Sequence, residues 1–261
     1  MTTDLQYSDL TREARRLAIL AGAEIMRIYA RGTTARLKDD QTPVTEADEA
    51  ADRIIVDGLR AAFPDIIVIS EESVAVTGLL DHGIVDGRFW LVDPLDGTRE
   101  FISRNGEFTV NIALIEHGEP VLGVLHVPVS GECYVGERGV GAALWPEGED
   151  PVPVKARHTP EAGPVIVASR SHLDPETERW IEAASPSTVT NAGSALKFAL
   201  LARGEADLYP RFGRTMEWDT GAGHAILVAA GGSLTETDGS RFQYGKPGFA
   251  NPHFIARGRA D

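Results

Sequence analysis

Apolar residues recur every three or four positions in two stretches near the start of the chain. This spacing predicts an amphipathic helix over residues 9–30 and a second helix that ends at Phe63. Thr45 is expected to open the second helix, because Asp48 follows it in the spacing of a capping box. The polar residues 38–43 between the two helices predict a loop.

Short apolar runs rich in β-branched residues follow the two helices and predict strands. These runs lie at residues 66–69, 88–92, 108–115, 121–127 and 133–135. The third and fourth runs are joined by His117-Gly118-Glu119-Pro120, which is typical of an antiparallel hairpin. The first half of the chain therefore predicts helices packed on a largely antiparallel sheet.

The pattern changes after a stretch rich in Pro, Gly and acidic residues at 145–151, which predicts a loop near a subdomain boundary. Strands and helices alternate beyond this point. Strands are predicted at 165–168 and from residues 208 and 233, and helices at 174–184, 193–203 and 219–230. We therefore expect an N-terminal α+β subdomain, residues 1–150, and a C-terminal α/β subdomain, residues 151–261.

The chain is acidic, with 39 Asp and Glu against 25 Lys and Arg in 261 residues, a net charge of −14. This surplus argues against nucleic acid and anionic membranes as partners, because both bind basic surfaces. No run approaches the roughly 18 apolar residues of a membrane span, and the N-terminus lacks the pattern of a signal peptide. Cys133, the only cysteine, lies in an apolar run and is expected to be a buried strand residue. We expect a cytoplasmic protein with no integral membrane segment.

The most informative segment ends an apolar strand. It reads Asp93-Pro94-Leu95-Asp96-Gly97-Thr98. Pro94 predicts a turn that directs both carboxylates and the Leu95 carbonyl toward one point, and such an oxygen-only cluster suits Mg²⁺ or Ca²⁺ and not zinc. The next two residues offer backbone N–H groups at a predicted helix start, where phosphate oxygens bind readily. The alternative is a turn in which the aspartates only cap a helix.

Three further carboxylates stand at the ends of predicted elements. Glu71 follows a buried strand, Asp48 lies at the start of the second helix, and Asp219 follows Trp218 at a helix N-terminus. Taken alone, Asp219 is typical of a helix N-cap. Converging carboxylates repel one another unless cations lie between them. Convergence of this set with the two aspartates above therefore implies bound cations.

Four segments together resemble the inositol monophosphatase superfamily in order and spacing. They are Pro43–Asp48, Ser70–Glu72, Trp90–Thr98 and Trp218–Gly223, and the resemblance covers nearly the whole chain. It implies a layered α-β-α-β-α sandwich of the inositol monophosphatase and fructose-1,6-bisphosphatase type, which combines α+β and α/β features. It also implies a phosphomonoesterase that depends on two or three Mg²⁺ ions.

The same resemblance implies a role for each matching residue. The implied metal ligands are Glu71, Asp93, the Leu95 carbonyl, Asp96 and Asp219. Gly97 and Thr98 resemble the residues whose backbone amides bind the phosphate. Asp48 and Thr98 resemble the pair that helps to activate the attacking water, with assistance from Glu71.

The second half of the chain bears on the choice of substrate. Inositol-specific members of the superfamily carry a glutamate seven residues before the Asp of the Trp-Asp motif, where this chain has Phe212. Other segments resemble the bacterial 3′(2′),5′-bisphosphate nucleotidases instead. These segments are Arg104–Leu114, Ser169–His172, Gly193–Phe198 and Tyr209–Gly213.

A nucleotide that keeps its 5′-phosphate needs an anion site away from the metals. The hydroxyl of Ser194, the ammonium group of Lys197 and the guanidinium group of Arg211 suit such a site. We also expect Asp219 to contact the substrate.

The leading hypothesis is hydrolysis of a small phosphorylated nucleotide, 3′-phosphoadenosine 5′-phosphate, to AMP and phosphate. One alternative is another phosphatase of the superfamily, acting on inositol or histidinol phosphate, and a second is a nucleotide sensor without turnover. Asp48, Glu71 and Thr98 argue against the sensor, because binding alone needs no water-activating group. The two residues between Asp93 and Asp96 disfavour a covalent aspartyl mechanism. A homodimer and a loose membrane association stay open.

Overall fold

The computed structural model describes residues 6–32, 34–37, 43–77, 87–171 and 173–259, so most of the predicted loop at 38–43 lies outside the described residues. The helices are α1 (Asp9–Arg31), α2 (Glu46–Ala62), α3 (Glu71–Thr77), α4 (Thr98–Ser103), α5 (Pro175–Ala183), α6 (Leu196–Ala202) and α7 (Glu217–Ala229), with a 3-10 turn at Pro247–Phe249. The strands are β1 (Arg36–Leu37), β2 (Pro43–Val44), β3 (Ile67–Ser70), β4 (Arg88–Asp96), β5 (Thr109–Glu116), β6 (Glu119–His126), β7 (Cys133–Glu137), β8 (Gly141–Trp145), β9 (Val152–Val154), β10 (Val165–Ser169), β11 (Thr188–Ala192), β12 (Leu208–Arg211), β13 (Ser233–Glu236) and β14 (Phe254–Arg257). In this part of the chain, no helix combines the length and the apolar character that crossing a bilayer requires.

Seven strands form the larger sheet, in the spatial order β3-β4-β5-β6-β7-β8-β9. Only the β3–β4 pair is parallel among them, so the prediction of a largely antiparallel sheet is confirmed. The predicted hairpin is β5–β6, and its connection is the two-residue turn His117-Gly118, in which both residues have positive φ angles of 49° and 77°. Strands β8 and β9 were not predicted and extend the meander to Val154.

The predicted N-terminal helices cover one face of this sheet. Ser8 caps α1 through a hydrogen bond from the Thr11 amide, and Thr45 and Asp48 form the predicted capping box of α2. Apolar residues of both helices pack against alternate residues of the sheet, including Trp90. The neighbouring strand residues face the opposite side, which explains why this part of the sequence is continuously apolar.

A second sheet of five strands has the order β11-β10-β12-β14-β13. Helices α6 and α7 lie between the two sheets and share one apolar core with both of them. Helix α7 packs so closely on β6 that a Cβ atom at Gly123 would lie 2.2 Å from the carbonyl oxygen of Ala222. Helix α5 covers the outer face of the second sheet, where Ile181 packs with Ile166 and Ala168.

The resulting order of layers is α1 and α2, the seven-stranded sheet, α6 and α7, the five-stranded sheet, and α5. This is the expected α-β-α-β-α sandwich. The helix predicted at 193–203 begins later, at Leu196, and β11 and β14 were not predicted. Cys133 is buried as expected, and burial raises the pKa of its thiol to about 12.

Candidate active site

The segment Asp93–Asp96 belongs to β4 and does not form the predicted turn at Pro94. Asp93 pairs with Asn111 of β5 and Asp96 pairs with Thr109, so β4 has one extra residue between these two pairs. Such a β-bulge bends the strand locally and redirects its side chains. Proline is tolerated there because a bulge releases one residue from the ladder of backbone hydrogen bonds. The predicted turn was therefore wrong, and a bulge takes its place.

Helix α4 begins directly after the bulge, which confirms the predicted helix start. Gly97 is its N-cap and adopts a left-handed conformation with φ 94° and ψ 45°. A Cβ atom at this position would lie 3.2 Å from the Glu107 carbonyl oxygen and 3.3 Å from Cβ of Ser194. Glycine thus relieves both backbone strain and crowding, and it brings the first turn of α4 against the segment that carries Ser194.

Asp48 and Thr98 are joined by a hydrogen bond, although 49 residues lie between them in the sequence. The Thr98 hydroxyl donates to Oδ1 of Asp48 at 3.0 Å. The other oxygen of Asp48 accepts hydrogen bonds from the Thr45 amide at 2.8 Å and the Thr45 hydroxyl at 2.7 Å. Asp48 is only 3% exposed, and its burial raises the pKa of the carboxyl to about 6 against these hydrogen bonds, with a further contribution from the charge of Glu71.

Asp96 and Asp219 lie close enough to influence each other's protonation. Oδ2 of Asp96 accepts hydrogen bonds from the Ala195 amide at 2.7 Å and from Nδ2 of Asn111 at 3.2 Å. Removal from water raises the pKa of Asp96 to about 6, although the charge of Lys197 lowers it. Removal from water and then the charge of Asp96 raise the pKa of Asp219 well above its usual value. Both carboxyls are therefore costly to ionise without a cation nearby.

One cavity of about 910 Å³ brings the predicted site together. Every predicted metal-binding and substrate-binding residue lines it: Glu71, Asp93, Leu95, Asp96, Gly97, Thr98, Ser194, Lys197, Arg211 and Asp219. Asp48 does not line the cavity and reaches it through the Thr98 hydroxyl. Residues from both halves of the chain thus face one space.

The four predicted metal-binding carboxylates of this cavity do not surround one point. Within the described residues, no group of three or more His, Cys, Asp and Glu side chains is arranged closely enough to hold a metal ion. Oxygens of Asp93, Asp96 and Asp219 accept hydrogen bonds from the backbone amides of Leu95, Ala195 and Met216. The donors are all oxygens, which fits Mg²⁺ and other hard cations.

Two buried basic residues, Lys197 and Arg211, also line the cavity. Lys197 is 3% exposed, and its ammonium group donates to the carbonyl oxygens of Ala192, at 3.2 Å, and Ser194. Burial lowers the pKa of Lys197 to about 8, while the charge of Asp96 raises it. Arg211 is 7% exposed and donates from Nη2 to the carbonyl oxygen of Arg214 at 3.1 Å.

Ser194 lines the same cavity. Its φ angle is 43°, in the left-handed region, and its hydroxyl oxygen is buried without a hydrogen-bond partner in the described part of the chain. A buried hydroxyl without a partner is unfavourable, and a substrate oxygen would supply one. The unpaired hydroxyl fits the predicted role of Ser194 in substrate binding. His172, the last residue of the segment Ser169–His172, lies outside the described residues.

Sequence reasoning missed two residues that position this site. Asn111 holds Asp96 and accepts a hydrogen bond from the Thr109 hydroxyl at 3.0 Å. Glu217, with no exposed surface, accepts hydrogen bonds from the amides of Gly245 at 2.7 Å and Lys246 at 2.9 Å and so fixes the start of α7, which carries Asp219. Asn111 could have been noticed as a polar residue inside an apolar strand. Nothing in the sequence marks Glu217 as a positioning residue, apart from its place beside Trp218.

A protein-family model matches nearly the whole sequence. The inositol monophosphatase family matches residues 6–259. The 3′(2′),5′-bisphosphate nucleotidase CysQ of Salmonella typhimurium is 46% identical over 241 residues, which cover 91% of this chain and 95% of that protein. CysQ of Escherichia coli K12 is 45% identical over 241 residues with the same coverage.

Solved structures share the layered architecture. CysQ from Bacteroides thetaiotaomicron, a bacterial member of the inositol monophosphatase family, has a TM-score of 0.78 and 36% identity, and 97% of each chain is covered. Inositol monophosphatase from Anabaena has a TM-score of 0.73 and 26% identity, covering 95% of this chain and 89% of that one. The expected sandwich is thereby confirmed, and the chain belongs to the inositol monophosphatase family.

Proposed function

We propose that this protein is a Mg²⁺-dependent phosphomonoesterase that hydrolyses 3′-phosphoadenosine 5′-phosphate to AMP and phosphate. The observation that carries this proposal is one cavity whose lining combines buried Lys197 and Arg211 with a group of carboxylates. A substrate with two phosphates fits such a lining, because the carboxylates repel an anion unless cations lie between them, whereas the two basic residues attract one directly. The identities of 45–46% to CysQ nucleotidases support the same substrate.

Mg²⁺ would be held by Glu71, Asp93, Asp96, Asp219 and the carbonyl oxygen of Leu95, with two or three ions in the active complex. Carboxylate and carbonyl oxygens are the ligands that Mg²⁺ prefers. When bound, such ions lower the pKa of water and stabilise charge on the attacking and leaving oxygens of the phosphate. The raised pKa values of Asp96 and Asp219 support this assignment, since a cation between the two carboxyls would offset their mutual repulsion.

The pair Asp48–Thr98 would orient the attacking water and accept its proton, with Glu71 assisting. Thr45 fixes Oδ2 of Asp48 by two hydrogen bonds, and only Oδ1 is left to act through the Thr98 hydroxyl. A proton taken from water would thus pass along the Thr98 hydroxyl to Oδ1 of Asp48. The backbone N–H groups of Gly97 and Thr98, at the first turn of α4, would donate to oxygens of the phosphate that is cleaved.

The phosphate that stays on the product would bind to Ser194, Lys197 and Arg211. The guanidinium group of Arg211 can hold two phosphate oxygens at once, and Lys197 contributes a point charge. Asp219 would also contact the substrate. Phe212 offers no carboxylate for sugar hydroxyls and packs edge-on against His253 at a ring distance of 5.5 Å, which disfavours inositol phosphate as the substrate.

The test compares adenosine 3′,5′-bisphosphate with adenosine 3′-monophosphate, which lacks the second phosphate. Losing one partner of a charge-assisted contact costs about 1.5–3 kcal/mol, or about 10- to 150-fold in kcat/KM. Arg211→Ala should impose this loss on the bisphosphate and far less on the monophosphate. Arg211→Lys should recover only part of it, because an ammonium group does not reproduce the planar fork.

Arg138→Ala is the matched control, since Arg138 is an exposed arginine paired with Glu116 and Glu119 and lies outside the cavity. It should leave both reactions unchanged. Equal losses on the two nucleotides in Arg211→Ala would mean that Arg211 serves the fold or the cleaved phosphate. A wild-type preference for inositol monophosphate over the bisphosphate would overturn the proposed substrate.

A further inference from the structure

A second cavity, of about 450 Å³, lies beside α1 and shares no lining residue with the candidate active site. Its size is within the range of small-molecule sites, which is roughly 300–1,000 Å³. Helix α1 contributes Arg15, Ile19 and Met26 to its walls, and the ends of β6 and β8 contribute His126 and Trp145. The cavity thus combines apolar walls with a few polar groups, as ligand sites do.

Arg15 differs from the other arginines of α1. Arg12, Arg16, Arg27 and Arg31 each form an ion pair with a carboxylate. Arg15 forms none with any described residue, and its guanidinium carbon lies 4.0 Å from the centre of the Trp145 ring. It also hydrogen-bonds to the Cys133 thiol, but burial raises the pKa of that thiol to about 12, so the thiol supplies no negative charge.

Two buried N–H donors at this cavity lack an acceptor. In the described part of the chain, neither Nε of Arg15 nor Nε1 of Trp145 has a hydrogen-bond partner. Both residues line the cavity, and the guanidinium group stacks on the indole ring. Buried donors without acceptors are unfavourable, so oxygens bound between these two groups would stabilise the protein. Because one of the donors is cationic, an anionic oxygen fits best.

The remaining lining residues limit the ligand to a single negative charge. His126 is neutral near pH 7, since burial lowers the pKa of its imidazole to about 4. Nδ1 of His126 lies 3.0 Å from the Glu132 carbonyl oxygen, which only accepts, so Nδ1 carries the proton and Nε2 is an acceptor. Glu147 also lines the cavity and is exposed. One guanidinium group opposed by one carboxylate suits a monoanion better than a dianionic phosphate.

We infer that this cavity binds a small organic acid with one carboxylate and an apolar body. The carboxylate lies against the guanidinium group of Arg15 and the indole N–H of Trp145. The apolar body packs on Ile19, Met26 and Pro128. This site is separate from the proposed phosphatase site, and binding at it does not depend on the proposed function.

The three methionines of the chain make the two cavities separately observable by NMR. They are Met1, Met26 and Met216, of which Met26 lines the second cavity and Met216 lines the candidate active site. In protein labelled with ¹³C at the methionine methyls, phenylacetate should shift the Met26 signal to saturation and leave Met216 unchanged. 2-Phenylethanol, phenethylamine and inorganic phosphate should bind at this site at least about tenfold more weakly.

Substitutions on α1 provide a matched pair. Arg15→Gln should raise the Kd for phenylacetate at least about tenfold, because it removes the charge and leaves a shorter polar side chain. Arg16→Gln removes the same charge from an exposed arginine that pairs with Glu13, and should leave the Kd unchanged. Trp145→Phe keeps an aromatic ring for the guanidinium group to stack on and removes the indole N–H. It should therefore also weaken binding, and it serves as the test if Arg15→Gln does not fold.

Several outcomes would overturn the inference. Equal Met26 shifts with the amine or the alcohol would show an apolar cavity without charge recognition. No saturable Met26 shift with phenylacetate would show that water satisfies the two donors. An unchanged Kd in both Arg15→Gln and Trp145→Phe, or a phenylacetate shift confined to Met216, would place the carboxylate elsewhere.

Discussion

The hydrogen bond between Thr98 and Asp48 allows the proposed chemistry to be separated from substrate binding. Thr98→Ala removes the hydroxyl that donates to Oδ1 of Asp48 at 3.0 Å and retains the Thr98 amide, which is proposed to bind the phosphate. The substitution should therefore lower kcat more than it raises KM. A lost hydrogen bond to a charged group costs about 1.5–3 kcal/mol, so kcat should fall about 10- to 150-fold.

Asp48→Asn removes the proposed base itself and should lower kcat by about 10²- to 10⁴-fold. The double variant should be about as slow as Asp48→Asn alone, because residues that act as a unit are not additive. Thr98→Ser keeps the hydroxyl and should retain most of the activity. The assay is steady-state phosphate release from adenosine 3′,5′-bisphosphate with Mg²⁺ in excess.

The pH profile gives an independent readout of the same pair. The hydrogen bond from Thr98 lowers the pKa of the Asp48 carboxyl, which burial raises. Losing that bond raises this pKa, and a base with a higher pKa becomes protonated at higher pH. The acid limb of kcat/KM in Thr98→Ala should therefore move to higher pH. An effect entirely in KM, or additive losses in the double variant, would refute the proposed pair.

Three further predictions address the metal site, pH stability and packing. Asp96→Asn should abolish turnover. In EDTA the variant should unfold at a temperature at or above that of wild type, because burial raises the pKa of the Asp96 carboxyl to about 6 and so disfavours its charged form. A clearly lower melting temperature would contradict this prediction. Burial lowers the pKa of His224 from 6.5 to about 3, so below pH 6.5 the unfolded chain binds a proton that the folded chain excludes. The free energy of unfolding should therefore fall as the pH drops from 6.5 toward 3. In urea titrations His224→Gln should show a shallower fall than wild type, and an equal fall would contradict the prediction. Gly123→Ala should destabilise the fold by about 1–3 kcal/mol or more, because the added Cβ would lie 2.2 Å from the Ala222 carbonyl oxygen. An unfolding midpoint in urea equal to that of wild type would show that the close approach of α7 to β6 is not needed.

The parts of the fold that could be predicted are those with a long or strongly alternating pattern. Helices α1 and α2 and the hairpin β5–β6 follow from periodicity, capping residues and turn composition. The strands that were missed are short or lack an apolar run. Thr188–Ala192 is exposed along most of its length and pairs only with β10, so its strand conformation comes from that neighbour and not from its own composition.

The candidate site shows the same division. The sequence predicted a set of metal-binding carboxylates, and these residues line one cavity. It could not indicate the bulge between Asp93 and Asp96, because a bulge is defined by register with Asn111 and Thr109 on the next strand. Backbone partners of side chains, such as the Ala195 amide on Asp96, are invisible in the sequence for the same reason.

That last contact links the two halves of the proposed site. Asp96 belongs to β4, whereas Ala195 lies between Ser194 and Lys197, the residues proposed to hold the second phosphate. The charges of Lys197 and Asp96 also act on each other's pKa, each stabilising the ionised form of the other. A shift of this segment toward a substrate phosphate would therefore move a proposed metal ligand. We therefore expect substrate choice and metal binding to be coupled through the Asp96 carboxylate, so an exchange of residues 193–197 for those of another phosphatase should disturb both.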